Sequence, residues 1–78
     1  MSVRHEAFQE GDVYIDYPLE EVMFRFEKET GAVFRKFYGE DTEAQIPHTN
    51  KLFADARIYG EETDRDSYVR GGTRWSKA

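Results

Sequence analysis

The sequence contains no cysteine, only two prolines and no long hydrophobic run. Without cysteine, neither disulfides nor thiolate metal sites can hold the fold, and such a composition is typical of cytosolic proteins. Residues 1–6 carry charged side chains and no apolar run, so they do not resemble a signal peptide. No apolar stretch approaches the ~20 residues that a membrane-spanning helix needs. We therefore expect a soluble, cytoplasmic protein that does not associate with a membrane.

The motifs of common catalytic sites are also missing. There is no glycine-rich phosphate loop, no H-E-x-x-H, no nucleophile elbow and no EF-hand spacing. Both histidines, His5 and His48, lie in polar segments, where a lone histidine is more often a surface or capping residue. Acids are plentiful, but nothing places two of them in one apolar pocket, as a tuned acid–base pair requires. We expect no catalytic residue, no metal, no cofactor and no enzymatic activity.

With 78 residues, the chain is long enough for one domain with a small core. The core must be built from aromatic side chains, of which there are six Phe, five Tyr and one Trp. We expect a single domain over residues 1–78, with a flexible lead-in at 1–11 and a flexible tail at 71–78.

Three segments rich in β-branched and aromatic residues predict strands. Pro18 ends the first of them, because proline cannot donate a hydrogen bond to a neighbouring strand. The predicted strands span residues 12–17, 21–27 and 32–38.

The segment 28–31 between the last two strands predicts a three-residue hairpin loop with a bulge, in which Gly31 adopts the left-handed conformation. This geometry sets the pairing of the two strands and decides which side chains share a face. The predicted pairs are Phe26 with Phe34, Phe24 with Lys36, Val22 with Tyr38, Met23 with Phe37, and Arg25 with Arg35.

A helix is predicted from Thr49 or Asn50 to Tyr59, and Gly60 ends it. A second, short helix capped by Thr63 follows, with Tyr68 and Val69 pointing inward. The fold class is therefore α+β: a three-stranded antiparallel β-meander with one packed helix and a short C-terminal helical turn. The predicted core contains Phe24, Phe26, Phe34, Leu52, Phe53 and Ala56.

Charge points to a protein partner. The formal charge is −5, and residues 5–21 hold six acids and no Lys or Arg. Either this is ordinary solvated surface, or it is an acidic edge that steers the domain onto a basic partner. The exposed loop after the hairpin offers an aromatic anchor beside three acids. The candidate protein-binding residues are Tyr38, Glu40, Asp41 and Glu43.

A second candidate surface would bind nucleic acid. In the predicted register, Arg25, Arg35 and Phe37 share one face of the sheet with Met23. Aromatic and basic side chains together can stack on and neutralise single-stranded nucleic acid. The alternative is a second apolar face covered by the N-terminal segment or the tail. Because the bases are few and acids flank them, we do not expect nucleic acid to be the partner.

Part of the sequence resembles small uncharacterised proteins of bacteriophages and prophages. The resemblance runs from Val33-Phe34-Arg35-Lys36-Phe37 through Ile46-Pro47-His48-Thr49-Asn50 to Gly60-Glu61-Glu62-Thr63. In those proteins a short hairpin precedes a helix and a Gly-Glu-x-Thr-type turn, and the resemblance covers residues 12–70. Small acidic phage proteins of this size include anti-CRISPRs, which dock on a host complex. The sequence lacks the extreme excess of acidic residues that mimicry of DNA would need.

The resemblance implies a non-enzymatic protein-binding module, a phage or mobile-element accessory protein in the cytoplasm of a bacterial host. It would inhibit or modulate a host protein complex by occupying a surface, as a monomer or weak dimer. Two alternatives stay open: a homo-oligomeric interaction protein whose sheet face is buried against its own copy, and a weak binder of single-stranded nucleic acid.

Overall fold

A computed structural model describes residues 3, 6–40 and 42–70. The predicted tail at 71–78 and the predicted contact residue Asp41 lie outside these described residues. Within the predicted lead-in, Val3 and Ala7 are buried against the core.

The centre of the fold is an antiparallel sheet of five strands in the order β4-β3-β2-β1-β5. The predicted three-stranded meander is confirmed as its middle, and two three-residue edge strands extend it. The strands are β1 (Val13–Tyr17), β2 (Val22–Glu27), β3 (Ala32–Phe37), β4 (Ala44–Ile46) and β5 (Glu61–Thr63).

Three helices and one 3₁₀ turn complete the described chain: α1 (Ala7–Glu10), the 3₁₀ turn (Pro18–Glu20), α2 (Lys51–Tyr59) and α3 (Arg65–Arg70). Asn50 caps α2 as predicted, because its side chain accepts a hydrogen bond from the Phe53 amide at 3.0 Å. The predicted cap of the last helix is wrong. Thr63 ends β5, and Asp64 accepts from the Ser67 amide at 2.9 Å. No helix in the described part of the chain is long and apolar enough to cross a membrane.

The core lies between one face of the sheet and α2. Alternate residues of the central strands, such as Ile15, Val22 and Phe24, are fully buried there. The ring of Phe53 from α2 packs against that of Phe24 with centroids 5.4 Å apart. Alternation along a strand places successive side chains on opposite faces, so the pairing of β2 with β3 decides which residues of β3 join this core.

The hairpin between β2 and β3 has a four-residue loop, not the three-residue loop predicted. Glu27 pairs with Ala32, and the Gly31 amide donates to the Glu27 carbonyl at 2.7 Å. Gly31 does adopt the left-handed conformation, with φ of +76°, as predicted. The extra loop residue shifts the register by one, so Phe26 pairs with Val33, Phe24 with Arg35, Val22 with Phe37, Met23 with Lys36, and Arg25 with Phe34.

The shift moves every side chain of β3 to the face opposite the predicted one. Val33 is buried on the face that packs against α2, whereas Phe34 lies half-buried on the other face. Phe34 is therefore not a member of the core. Of the other predicted core residues, Phe24, Phe53 and Ala56 are buried, and Phe26 and Leu52 pack against the margin.

Candidate functional site

The sheet face away from α2, called here the second face, is covered in part by α3. Tyr68 reaches down from α3 and its ring lies 5.6 Å from that of Tyr14 on β1. Tyr68 points inward as predicted and is buried, but Val69 is exposed, which corrects the prediction for that residue. Between α3 and the sheet runs an open, polar groove of about 750 Å³.

Lys36 holds the end of α3 onto the second face. Its side chain is buried, with 6% of the residue exposed, and its ammonium donates to the carbonyls of Tyr68 at 3.1 Å and Val69 at 3.0 Å. The last carbonyls of a helix have no partner within the helix and carry partial negative charge. The buried charge of Lys36 is therefore satisfied, and α3 gains a C-terminal cap from the sheet.

An ion-pair network lies beside Lys36. Arg25 donates to both carboxylate oxygens of Glu43, at 2.7 and 3.2 Å, and to Glu27 at 3.2 Å. The hydroxyl of Tyr68 donates to Glu43 at 2.6 Å, and the Arg25 guanidinium stacks 4.2 Å from the centroid of the Phe34 ring. Because Arg25 bonds to both oxygens of Glu43, the ion pair is bidentate, which is the stronger form of an arginine–carboxylate contact.

The pKa values follow from these contacts. The hydrogen bond from Arg25 lowers the pKa of Glu43 below its ordinary value, and the same bond raises the pKa of Arg25. Burial, followed by the hydrogen bond to Glu43, raises the pKa of Tyr68. Each group is thereby held more firmly in its usual charge state. The network therefore stabilises the packing of α3.

The described residues contain no cluster of three or more His, Asp or Glu that could hold a metal ion.

The predicted protein-binding residues are tied to the fold in different ways. The hydroxyl of Tyr38 donates to the Asp16 carboxylate, and Tyr38 is half-buried. Exposed Glu40 accepts from the Phe37 amide at 3.0 Å, which closes the turn after β3. Glu43 belongs to the Arg25 network. Contact of these residues with a partner stays a prediction, and both Glu40 and Glu43 are exposed, whereas Tyr38 is half-buried.

The structure does not assemble the predicted nucleic-acid face. Arg25 lies on the second face and stacks on Phe34, whereas Arg35 and Phe37 lie on the α2 side of the sheet. There the Arg35 guanidinium lies 4.9 Å from the centroid of the Phe37 ring. Met23 is buried, with 1% exposed. The predicted grouping depended on the hairpin register and is separated by the one-residue shift.

Sequence reasoning missed the roles of Lys36 and the Arg25–Glu43 pair. Arg25 and Glu43 are 18 positions apart, so no local spacing links them. A lysine inside an aromatic strand was the available signal for Lys36, but the wrong register placed it against Phe24.

The comparison with known families shows which family this chain belongs to. The family model described as Tis1 immunity protein matches residues 1–72. The chain belongs to the Tis1 immunity protein family. A relative in this family, the immune protein Tis1 of Pseudomonas aeruginosa (strain UCBPP-PA14), is 40% identical over 67 residues, which cover 85% of this chain and 87% of that protein.

A solved structure agrees with the Tis1 assignment. It is the crystal structure of the complex between the type VI effector Tas1 and its immunity protein. One chain of it is similar to this chain with a TM-score of 0.84 and 38% identity, covering 92% of this chain and 96% of that chain.

These matches overturn the resemblance to phage proteins. The chain is a member of the Tis1 family and not an anti-CRISPR. The prediction of a phage protein that inhibits a protein complex of its bacterial host is therefore wrong. The resemblance rested on the order hairpin, helix and Gly-Glu turn, which many small α+β domains share. A shared order of elements does not carry function.

Proposed function

We propose that this chain is a non-enzymatic immunity protein that binds a type VI effector of the Tas1 kind and inhibits it by forming a complex. The observation that carries the proposal is the similarity to a chain solved in complex with an effector, which spans 96% of that chain at 38% identity. Similarity at this level over nearly the whole domain supports a shared mode of action as well as a shared fold.

The geometry supports binding in preference to chemistry. Four charged groups line the groove on the second face and hydrogen-bond to one another or to backbone carbonyls: Arg25, Glu27, Lys36 and Glu43. A catalytic pair needs groups whose environments move their pKa values toward the working pH. Here the pKa of Glu43 is lowered and those of Arg25 and Tyr68 are raised, which is away from neutrality in each case.

Binding is tested by mixing the purified chain with purified Tas1 and measuring the complex by size exclusion with light scattering and by calorimetry. We expect a complex of fixed stoichiometry, and suppression of Tas1 toxicity when both are expressed in one cell. The immunity protein of the solved Tas1 complex serves as the positive control. A chain that neither binds Tas1 nor suppresses its toxicity, where that immunity protein does both, would contradict the proposal.

The non-enzymatic part needs its own readout. An inhibitor that acts by occupancy protects only in stoichiometric amounts and releases an unchanged effector. We therefore expect inhibition of Tas1 to saturate at the stoichiometry of the complex, and Tas1 separated from the complex under denaturing conditions to keep its intact mass. Full inhibition at a small fraction of that amount, or a change in mass, would show that the chain modifies the effector.

A further inference from the structure

Several connections meet at one end of the sheet. Tyr17, the last residue of β1, pairs with Val22, the first of β2, and Val22 pairs with Phe37, the last of β3. On the other side of β1, Asp16 pairs with Glu61, where β5 begins. The 3₁₀ turn, the turn after β3 and the C-terminus of α2 therefore lie at the same end, opposite the hairpin loop at Gly31.

Large apolar side chains are exposed at this end. Leu19 in the 3₁₀ turn is 77% exposed, and Tyr59 and Ile58 in the last turn of α2 are 64% and 56% exposed. They are three of the four exposed large hydrophobic residues in the described part of the chain. Single exposed apolar residues are ordinary, but several at one end of a small domain are typical of an interaction surface.

Acidic side chains surround these apolar residues. Glu20 follows Leu19 in the 3₁₀ turn, Asp55 lies one turn before Tyr59 on α2, and Glu61 begins β5. No described residue gives their carboxylates a hydrogen bond or ion pair. Burial raises the pKa of Tyr17, and the nearby charges of Asp55 and Glu20 raise it further, which places both acids around one buried ring. We call Leu19, Ile58, Tyr59, Glu20, Asp55 and Glu61 together the acidic end.

The direction of α2 adds the negative end of its helix dipole to the acidic end. Its C-terminus lies at the acidic end, because the Gly60 amide closes the last turn on the Ala56 carbonyl at 2.8 Å and β5 follows directly. The C-terminus of a helix carries about half a negative charge. Arg57 is a basic residue in the same last turn of α2, and its guanidinium lies 5.4 Å from the centroid of the Phe53 ring. The opposite end of the sheet holds Lys28 and Glu29 in the hairpin loop and Lys51 at the start of α2, so its charge is mixed.

The backbone holds the acidic end in one shape. Glu21 is the one non-glycine residue of the described chain with positive φ, at +53°. Its amide donates to the Pro18 carbonyl at 3.0 Å, and its carbonyl accepts from the Tyr38 amide at 2.9 Å. A left-handed non-glycine residue persists only where its surroundings enforce it. The turn that presents Leu19 and Glu20 is therefore organised before any partner arrives, which lowers the entropic cost of binding.

We propose that the acidic end is the surface by which this chain docks on its effector, and that it fits a basic surface with an apolar pocket for Tyr59 and Leu19. The inference rests on the proposed function and adds to it the location and chemistry of the contact. Aromatic and aliphatic anchors in such a contact set the lifetime of the complex, while surrounding charges speed association.

The test measures association and dissociation of Tas1 with surface variants at low and high salt. Tyr59→Ala and Leu19→Ala should each raise Kd about tenfold or more, mainly through faster dissociation. The double variant Glu20→Lys/Glu61→Lys should slow association several-fold at low salt, and this loss should shrink at high salt. All four side chains are exposed, so the variants should keep the melting temperature of the wild type.

Matched controls place the same changes elsewhere. Val69→Ala removes an apolar side chain of similar exposure from α3, and Glu29→Lys reverses a charge in the hairpin loop at the opposite end. Both should bind Tas1 like the wild type. If the wild type binds but the variants of the acidic end do not weaken it, or the controls weaken it equally, the location is wrong and the proposed function stands. Failure of the wild type to bind would overturn both.

Discussion

At the scale of single residues, Glu43 connects three parts of the molecule. It lies just before β4, accepts from Arg25 on β2, and accepts from Tyr68 on α3. The sequence predicts Glu43 as a surface contact for a partner. Its hydrogen bonds show that it also stabilises the fold, so reversing its charge would confuse a loss of binding with a loss of stability.

The carboxylate of Glu43 should make stability depend on pH. Its pKa is lowered in the folded chain, chiefly by Arg25, so its stabilisation is complete above the unfolded pKa of about 4.3 and is lost as the pH falls through the lower folded value. Glu43→Gln should cost about 1–2 kcal/mol at pH 7. The difference from wild type should shrink below about pH 4.

Urea unfolding at pH 7, 5 and 3 measures this difference. Glu29→Gln, in the exposed hairpin loop, is the matched control and should be close to wild type at each pH. A cost of Glu43→Gln that stays constant down to pH 3 would mean that the charge of Glu43 contributes nothing.

At the scale of elements, α2 and β1 approach each other closely where α2 leads into β5. A Cβ added at Gly60 would lie 2.6 Å from the Ala56 carbonyl oxygen, 3.0 Å from the Asp16 carbonyl oxygen and 3.0 Å from the Ile15 Cγ2. The φ of Gly60 is −82°, which any residue can adopt. The last turn of α2, whose Ala56 carbonyl lies closest, and the close approach of β1 therefore both require glycine at this position.

Gly60→Ala should lower the free energy of unfolding by about 1–3 kcal/mol, because two backbone atoms must move to admit the methyl group. Gly11→Ala is the control. Its φ of 167° is extended, and nothing lies within 4 Å of an added Cβ, so we expect a change within about 0.5 kcal/mol. Chemical denaturation of both variants measures the difference, and equal stabilities would show that the junction gives way without cost.

At the scale of the whole molecule, a small core leaves little reserve of stability. For 78 residues the free energy of unfolding is roughly 4–12 kcal/mol. Phe24 is fully buried at the centre of the sheet against Phe53, whereas Phe26 is half-buried at the margin beside Phe8 and His48. The two phenylalanines of β2 therefore differ in how much of this stability depends on them.

Phe24→Ala should cost about 3–5 kcal/mol, a large share of the total, and Phe26→Ala clearly less. Circular dichroism during urea unfolding measures both. A smaller loss for Phe24→Ala than for Phe26→Ala would place the centre of the core at the margin of the sheet.

Local chemistry was sufficient for several elements. Gly31 in the left-handed conformation, Asn50 as the cap of α2 and the β-rich segments around Ile15 and Phe24 could be read from the sequence, because each depends on neighbours within a few positions. Three of the predicted core residues, Phe24, Phe53 and Ala56, are buried. The acid-rich first 21 residues were visible as composition, but not where they lie in space.

Tertiary structure decided what local chemistry left undetermined. A left-handed Gly31 fits hairpin loops of three or four residues. The loop length decides which face of the sheet each β3 side chain takes, and the four-residue loop buries Val33 beside Ile46 of β4. Strands β4 and β5 have only three residues each and form because a neighbouring strand offers unpaired backbone groups. Arg25 and Glu43 are far apart in sequence and come together only when the sheet forms, since chain folding and not spacing determines which distant side chains meet.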